Sequence, residues 1–338
     1  MNRHDILVRH ANEWVARIGN AQSIMLVTHV NPDGDAIGSL AGLYAALPQI
    51  TNAQISMVVQ QPVPAYLAWL PNILESCEIG EQKTWPNPDL IIAVDCASAD
   101  RIGGIHKKHA DAFRHSTIIQ IDHHATNTCF GVQNLIIDKA CATCEIITEF
   151  LPLLGITLTP GIATPLLLGI MTDTQSFQIY DTRADTLQLG AKLFAAGADH
   201  TAIVHKVFRS TRREALQLAS RVLGNMRSHH QVVWSAVPLA WLEEYAASDD
   251  ESDEALHLLQ RIDGPEVIML IKERSDGVKI SLRSRNVIVA EVATRHGGGG
   301  HAHAAGINLP GYSIEAAANL LLPELHAACT AFFASTKR

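Results

Sequence analysis

Several short apolar runs in this sequence end in aspartate or histidine, and this repetition constrains the fold more than any other feature. The runs occupy residues 24–27, 89–94 and 116–121. The polar residues that follow them are His29, Asp33 and Asp35, then Asp95, then Asp122, His123 and His124. Continuous apolar runs of this length are typical of buried parallel strands. The sequence therefore predicts a parallel sheet with polar side chains at its strand ends.

Helical segments alternate with these strands, which favours an α/β fold with helices on both sides of the sheet. Residues 1–20 are predicted to form a docking helix with Ile6, Val8, Trp14, Val15 and Ile18 on its apolar face. The apolar run at residues 164–172, which precedes Asp173, reads as a helix rather than a strand because it is rich in Ala and Leu.

The sequence indicates two domains and a connecting segment. Residues 1–190 are predicted to form the α/β domain, residues 191–228 a helical linker, and residues 229–338 a smaller α+β domain with a mixed sheet. In the last segment, Ser275-Asp276-Gly277 separates two strand-like runs, which is typical of a β-hairpin. Residues 249–253 are acidic and read as a solvated helix start.

The aspartates and histidines at the strand ends are expected to converge, because the carboxyl ends of parallel strands meet at one edge of a sheet. So many carboxylates in one cleft would repel each other unless cations lay between them. Mixed carboxylate and imidazole ligation suits Mn²⁺, and also Zn²⁺, Fe²⁺ or Co²⁺. The number of side chains is enough for two ions, the arrangement that hydrolyses phosphate esters.

The net charge of −8 argues against a protein that holds long duplex DNA through many phosphate contacts. A short phosphorylated substrate remains compatible with it. We expect no membrane span and no secretory signal, and the six scattered cysteines favour a reducing cytoplasm. Cys141 and Cys144 form a CxxC without a second pair, and we interpret them as small residues that open a helix.

Four segments of the chain resemble the motifs of the DHH phosphoesterase family. They are HVNPDGDAIGS, AVDCASADRIG, IDHHATN and GIMTDTQSF, in the family's order. The later segments SLRSRN and GGGGHAHAAG resemble the DHH-associated C-terminal domain of the same family. The resemblance extends from about residue 24 to about residue 306. It implies a DHH catalytic domain at residues 1–190 and a substrate-binding domain at residues 229–338.

The resemblance implies a role for each matched residue. His29 and Asp33 would bind a first metal ion, and Asp35, His123 and Asp173 a second, with Asp95 bridging the two. Asp122 would orient a ligand, and His124 would face the substrate phosphate or the metal-bound water and is the candidate to protonate the leaving oxygen. We expect two divalent ions, Mn²⁺ first and Mg²⁺, Co²⁺ or Fe²⁺ as alternatives.

The substrate is expected to contact a second set of residues. These are Arg283, Ser284, Arg285, Gly299, Gly300 and His301 in the C-terminal domain, and Arg101 in the first domain. Arginine side chains bind phosphate or stack on bases, and a glycine run lets backbone N–H groups approach an anion. An ordinary surface role for Arg101 is about as compatible with the sequence.

Length and architecture are most similar to family members that degrade short oligoribonucleotides and dephosphorylate pAp. The expected partners are therefore short RNA or DNA oligonucleotides, pAp or dinucleotides, and a homodimer is compatible although no interface is legible. Hydrolysis of cyclic or linear dinucleotides is an alternative, as is hydrolysis of pyrophosphate or polyphosphate. A non-catalytic nucleotide-binding module is an alternative of another class.

Overall fold

A computed structural model describes residues 2–60, 63–71, 73, 77–78, 88–179 and 182–336. The chain divides into two compact units, Met1–Ser210 and Thr211–Arg338, called here the N-terminal and C-terminal units. The segment predicted as a linker, residues 191–228, is shared between them. Its first part belongs to the N-terminal unit, whereas the helix Arg213–Gly224 packs in a core of the C-terminal unit.

The N-terminal unit contains a parallel sheet, as predicted. Its strands are β1 (Ser23–Val27), β2 (Gln54–Val58), β3 (Cys77–Glu78), β4 (Leu90–Val94), β5 (Thr117–Asp122) and β6 (Gln133–Ile136). They are arranged in the order β3-β2-β1-β4-β5-β6, and every pair is parallel. The chain moves outward from β1 in both directions, so the strand order reverses between β1 and β4. Open sheets place ligands outside the carboxyl ends of the strands at such a point.

Helices and short helical turns accompany the sheet. The helices are α1 (Arg3–Asn20), α2 (Gly34–Ala46), α3 (Gly104–Lys108), α4 (Ala110–His115), α5 (Thr143–Leu153), α6 (Pro160–Asp173), α7 (Ala184–Ala195) and α8 (His200–Ile203). The apolar run before Asp173 is therefore a helix, α6. Helix α1 docks through Trp14 and Ile18, and Trp14 meets Phe150 edge-on with ring centroids 5.1 Å apart. The predicted apolar face is wrong at Val8 and Val15, which are exposed.

A stripe of glycines on α2 lets this helix lie directly against α6. A Cβ at Gly34 would overlap Thr172, one at Gly38 would overlap the Pro165 carbonyl, and one at Gly42 would overlap Leu166. The spacing of four residues places these glycines on one face of the helix. The start of α2 is thereby held against the end of α6, which brings Asp35 towards Asp173.

The C-terminal unit contains a mixed sheet, as predicted. Its strands are β7 (Arg227–His229), β8 (Val232–Val237), β9 (Val267–Arg274), β10 (Gly277–Ser284), β11 (Gly299–His301) and β12 (Ala304–Pro310), in the order β11-β12-β10-β9-β8-β7. Only β8 and β9 pair in parallel. The helices are α9 (Arg213–Gly224), α10 (Leu239–Glu244), α11 (Asp253–Leu259), α12 (Val289–Arg295) and α13 (Ile314–Thr336). The predicted hairpin is formed by β9 and β10.

Two sequence expectations for this unit were incomplete. The glycine run, expected to approach an anion, also contributes Gly299 and Gly300 to β11, and a Cβ at Gly298 or Gly300 would overlap the backbone of β12. The acidic segment begins α11 as predicted, but it also holds a buried lysine. The Lys272 ammonium lies 2.7 Å from Asp253 Oδ1 and donates to the Asp249 carbonyl at 2.8 Å.

One described helix, α13, is long and apolar enough to cross a membrane by length and composition alone. Its buried residues pack in the core of the C-terminal unit, against the inner face of the sheet. These residues are Ala317, Ala318, Leu321, Leu325 and Cys329. One face of α13 therefore lies in the core of the C-terminal unit.

Candidate active site

The polar residues predicted at the strand ends lie together at one edge of the N-terminal sheet. His29 follows β1, Asp95 follows β4, and Asp122 is the last residue of β5. Asp33 and Asp35 are at the start of α2, and Asp173 is at the end of α6. The group lies beside the carboxyl ends of β1 and β4, the two strands between which the strand order reverses.

A first group is formed by His29, Asp33 and Asp95, whose ligand atoms lie within 4.8 Å of one another. His29 Nε2 is 3.4 Å from Asp95 Oδ2. His29 Nδ1 donates to the Val30 carbonyl at 2.8 Å, and because a carbonyl only accepts, Nδ1 carries the proton. Asp33 uses Oδ1 to cap α2, accepting from the backbone N–H of Ala36 at 3.0 Å.

A second group is formed by Asp35, His123 and Asp173, within the same 4.8 Å limit. His123 Nε2 is 3.4 Å from Asp173 Oδ2 and 3.9 Å from Asp35 Oδ2. Its Nδ1 donates to the Ala140 carbonyl at 3.1 Å, so Nε2 is the nitrogen that faces the carboxylates.

Asp95 lies between the two groups. Its Oδ2 faces His29, and its Oδ1 is 3.6 Å from His123 Nε2. The backbone of Asp95 is left-handed, with φ of 52°, which is uncommon for a residue other than glycine and recurs at functional sites. The arrangement places one carboxylate where it can serve two cations.

A third group places His124 beside Asp122. His124 Nδ1 donates to Asp122 Oδ1 at 2.7 Å and lies 3.7 Å from Asp95 Oδ1. The other oxygen of Asp122 accepts from the Asn127 side-chain amide at 2.5 Å. Asp122 is fully buried, so these contacts fix its carboxylate and, through it, the His124 ring.

The buried carboxylates strongly influence one another. Burial and the charge of Asp95 raise the pKa of Asp35 to about 7, although His123 partly opposes this. Burial and the charges of Asp35 and Asp33 raise the pKa of Asp173 well above its usual range. Burial would also raise the pKa of Asp95, but the hydrogen bond from His29 and the charges of the neighbouring histidines lower it below its usual range.

For the histidines, burial acts in the opposite direction and lowers the pKa, but the neighbouring carboxylates outweigh it. Burial alone lowers the pKa of His29, but the hydrogen bond to Asp95 and the charges of Asp33 and Asp95 outweigh it and raise this pKa to about 9. For His124 burial is likewise outweighed, chiefly by the hydrogen bond to Asp122, and its pKa is raised. The cluster therefore attracts positive charge.

This donor set fits divalent cations. Carboxylate oxygens and imidazole Nε2 atoms face a common space, and each ligand histidine has its other nitrogen fixed by a backbone carbonyl. Without a cation, the cost of crowding these carboxylates appears as the raised pKa values of Asp35 and Asp173. Two ions sharing Asp95 would remove that cost.

The sequence did not predict a role for three residues in this region, which are Asn127, Thr143 and Glu145. Thr143 contacts Asp35 through its backbone N–H and Asp95 through its hydroxyl. The only sequence signal was their position just after the Asp-His-His segment and at the start of α5. The CxxC agrees with the interpretation as small buried residues, since Cys144 lies in the first turn of α5 and packs on Gly169.

The residues predicted to contact substrate are divided between the two units. The Arg101 side chain is exposed, while its carbonyl accepts from the Val30 N–H at 2.7 Å. In the C-terminal unit, Arg283 and Ser284 end β10, and Gly299, Gly300 and His301 form β11. Arg285 bonds within its own unit, to the Ile262 carbonyl at 2.9 Å and to Asp263 at 3.3 Å.

Family models match both parts of the chain. Residues 23–170 match the N-terminal domain of the DHH family, and residues 230–330 match the DHHA1 domain.

Relatives of known name cover most of the chain. A Thermus thermophilus protein named bifunctional oligoribonuclease and PAP phosphatase NrnA is 33% identical over 296 residues, which is 87% of this chain and 86% of the relative. A Mycoplasma genitalium protein of the same name is 28% identical over 87% of this chain and 91% of its own length. The solved structure of an exopolyphosphatase-related protein from Bacteroides fragilis has a TM-score of 0.84 and 24% identity, covering 95% of this chain and 97% of that one. This last likeness shows the fold alone.

Proposed function

The chain belongs to the DHH family of phosphoesterases, and from this premise we propose that it hydrolyses short oligonucleotides to mononucleotides and pAp to AMP and phosphate. Both activities add water across a phosphate ester. Both stand in the names of relatives that the chain matches over most of its length.

The observation that carries the proposal is the position of Asp95 between two three-residue groups. His29 faces one of its oxygens at 3.4 Å, and His123 faces the other at 3.6 Å. A carboxylate between two ligand sets can serve both ions of a pair about 3.5–4 Å apart, the spacing found in enzymes that hydrolyse phosphate esters.

We assign the ligands as follows. The first ion would be held by His29 and Asp33, the second by Asp35, His123 and Asp173, and Asp95 would bridge them. When bound, such a pair supplies Lewis-acid stabilisation of a phosphoryl group and lowers the pKa of a water molecule. Mixed oxygen and nitrogen ligation favours Mn²⁺, with Mg²⁺, Co²⁺ or Fe²⁺ as alternatives.

His124 is assigned the proton transfer. Its Nδ1–H is fixed on Asp122, so Nε2 is the nitrogen that can give a proton to the leaving oxygen. The hydrogen bond to Asp122 raises the pKa of His124, which favours the protonated ring that a general acid requires. Asp122 stabilises this imidazolium, and the Asn127 amide holds Asp122 in place.

Substrate contacts are assigned to Arg101, Arg283, Ser284, Arg285, Gly299, Gly300 and His301. We propose that they bind the phosphates and bases of a short strand, pAp or a dinucleotide, and that long duplex DNA is excluded. A cytoplasmic location is supported by the absence of disulfides among the cysteines whose side chains the structure describes. We propose action without a membrane partner, and a homodimer is compatible.

A substrate panel with Mn²⁺ tests the function. It contains pAp, RNA and DNA strands of two to about thirty nucleotides, linear and cyclic dinucleotides, and pyrophosphate. We expect turnover of pAp and of the shortest strands, decreasing with length. Equal rates on long single strands would contradict the preference for short substrates, and turnover of cyclic dinucleotides or pyrophosphate alone would replace the proposed function.

Two variants separate catalysis from folding. Asp95→Ala removes the shared carboxylate and should abolish hydrolysis, while Asp138→Ala, at an exposed position between β6 and α5, should leave it unchanged. Circular dichroism tests whether both variants are folded. A wild-type chain that binds nucleotides but hydrolyses none of the panel would instead be a binding module.

A further inference from the structure

Thr143 contacts both ligand groups of the candidate centre. Its backbone N–H donates to Asp35 Oδ2 at 2.6 Å, and its hydroxyl donates to Asp95 Oδ1 at 3.0 Å. Asp35 belongs to the second group and Asp95 lies between the groups. Thr143 is fully buried, so water does not compete for these carboxylates at its position.

The oxygen that the Thr143 hydroxyl contacts is the one turned towards the second group. Asp95 Oδ1 is also 3.6 Å from His123 Nε2, whereas Oδ2 faces His29. A hydroxyl that donates to Oδ1 fixes the rotation of the carboxylate about its last bond. It thereby decides which oxygen is presented to each group.

The N-terminus of α5 holds the neighbouring carboxylate in the same way. The N–H groups of Thr143 and Cys144 donate to the two oxygens of Asp35, at 2.6 and 2.9 Å. Both N–H groups are in the first helical turn, where no intrahelical acceptor exists for them. Asp35 is thus held at both oxygens by the residues that begin α5.

The start of α5 is itself fixed from outside. The buried Glu145 carboxylate accepts from the Cys141 N–H and the Thr186 hydroxyl, each at 3.0 Å. It also accepts from Arg3 of α1 at 2.6 Å and from Arg183 at 2.8 Å. With four donors on one carboxylate, the helix start has little freedom to follow a displaced ligand.

We infer that Thr143 is a positioning residue that sets the geometry of both metal subsites at once, through its hydroxyl on Asp95 and its N–H on Asp35. The inference rests on the proposed two-metal function, but it concerns ion binding rather than turnover. Removing an outer contact of this kind weakens metal binding by about 10–100-fold.

Thr143→Val tests this, because it keeps the shape of the side chain and removes the hydroxyl. Thr143→Ser restores the hydroxyl. Thr148→Val is the matched control, since Thr148 is equally buried in the same helix but donates only to the Cys144 carbonyl, at 2.7 Å. If Thr143→Val does not fold, Thr143→Ala removes the same hydroxyl without placing a methyl group against Asp95.

Mn²⁺ binding is measured by calorimetry on the full chain without substrate, and hydrolysis of pAp is followed against Mn²⁺ concentration. We expect Thr143→Val to bind Mn²⁺ about 10–100-fold more weakly, Thr143→Ser to recover most of the affinity, and Thr148→Val to match the wild type. More Mn²⁺ should restore part of the lost turnover of Thr143→Val.

Unchanged Mn²⁺ affinity in Thr143→Val would overturn the inference, and so would an equal loss in Thr148→Val. A wild-type chain that binds no Mn²⁺ would overturn it together with the two-metal assignment. A wild-type chain that binds two ions but hydrolyses nothing in the panel would defeat the proposed function alone. The comparison among the three variants would then still decide the role of Thr143.

Discussion

The buried carboxylate of Asp35 should make the protein less stable whenever no cation is bound. In that state the pKa of Asp35 is raised from 3.8 to about 7, by burial and by Asp95. Ionising such a group in the folded chain costs about 4 kcal/mol relative to the unfolded chain. The cost is absent below pH 3.8 and grows as the pH rises to about 7, because only the unfolded state releases the proton easily in that range.

Asp35→Asn should therefore stabilise the protein in EDTA at pH 8. The substitution leaves one backbone N–H, of Thr143 or Cys144, without its acceptor, which costs about 1–3 kcal/mol. The expected net gain in the free energy of unfolding is about 1–3 kcal/mol, and it should disappear near pH 5. Mn²⁺ should raise the melting temperature of the wild type far more than that of the variant.

Asp33→Asn is the matched control. Asp33 is exposed and caps α2, a role that asparagine fills equally well. The free energy of unfolding of Asp33→Asn in EDTA should therefore differ from that of the wild type by less than about 0.5 kcal/mol. Both variants remove a proposed ligand, so only burial distinguishes them. Urea unfolding at pH 5 and pH 8 measures the difference. The reasoning is refuted if Asp35→Asn is less stable than the wild type at pH 8, or if its advantage does not depend on pH.

Other contacts give further predictions. Gly169→Ala would place a Cβ against the Cys144 sulfur and should lose about 1–3 kcal/mol in urea unfolding, whereas Gly161→Ala in the same helix meets nothing within 4 Å and should not destabilise. Burial and the charge of Arg9 lower the pKa of His10, so below about pH 6.5 protonation of this residue favours the unfolded state and lowers stability. His10→Leu should therefore flatten the pH dependence of the melting temperature between pH 7 and 5. Asn127→Ala releases Asp122 and should lower kcat on pAp by about 10–100-fold with little change in KM, as steady-state kinetics would show.

The parallel sheet and the gathering of polar residues at one edge could be predicted from the sequence, because both follow from local pattern. Apolar runs ending in Asp or His identify strand ends, and parallel topology brings those ends together. The structure places His29, Asp95 and Asp122 at this edge for that reason. The hairpin of β9 and β10 was likewise local, since a turn sequence separates its strands.

Features that depend on contacts between distant segments could not be predicted. The role of the glycines in α2 depends on the contact of this helix with α6. The role of Thr143 likewise depends on the position of the start of α5 beside Asp35. Arg285 shows the same limit. Its bond to Asp263 joins positions 22 residues apart, so the strand pattern alone does not reveal it.

The clamp on Glu145 has a consequence for the order of events during synthesis. Two of its four donors, Arg183 and Thr186, follow every proposed metal ligand in the sequence. The ribosome adds about 5–20 residues per second, so several seconds separate the synthesis of the earlier aspartates from that of these two donors to Glu145. The full set of contacts that holds the start of α5 against Asp35 is therefore complete only after Thr186 has been synthesised.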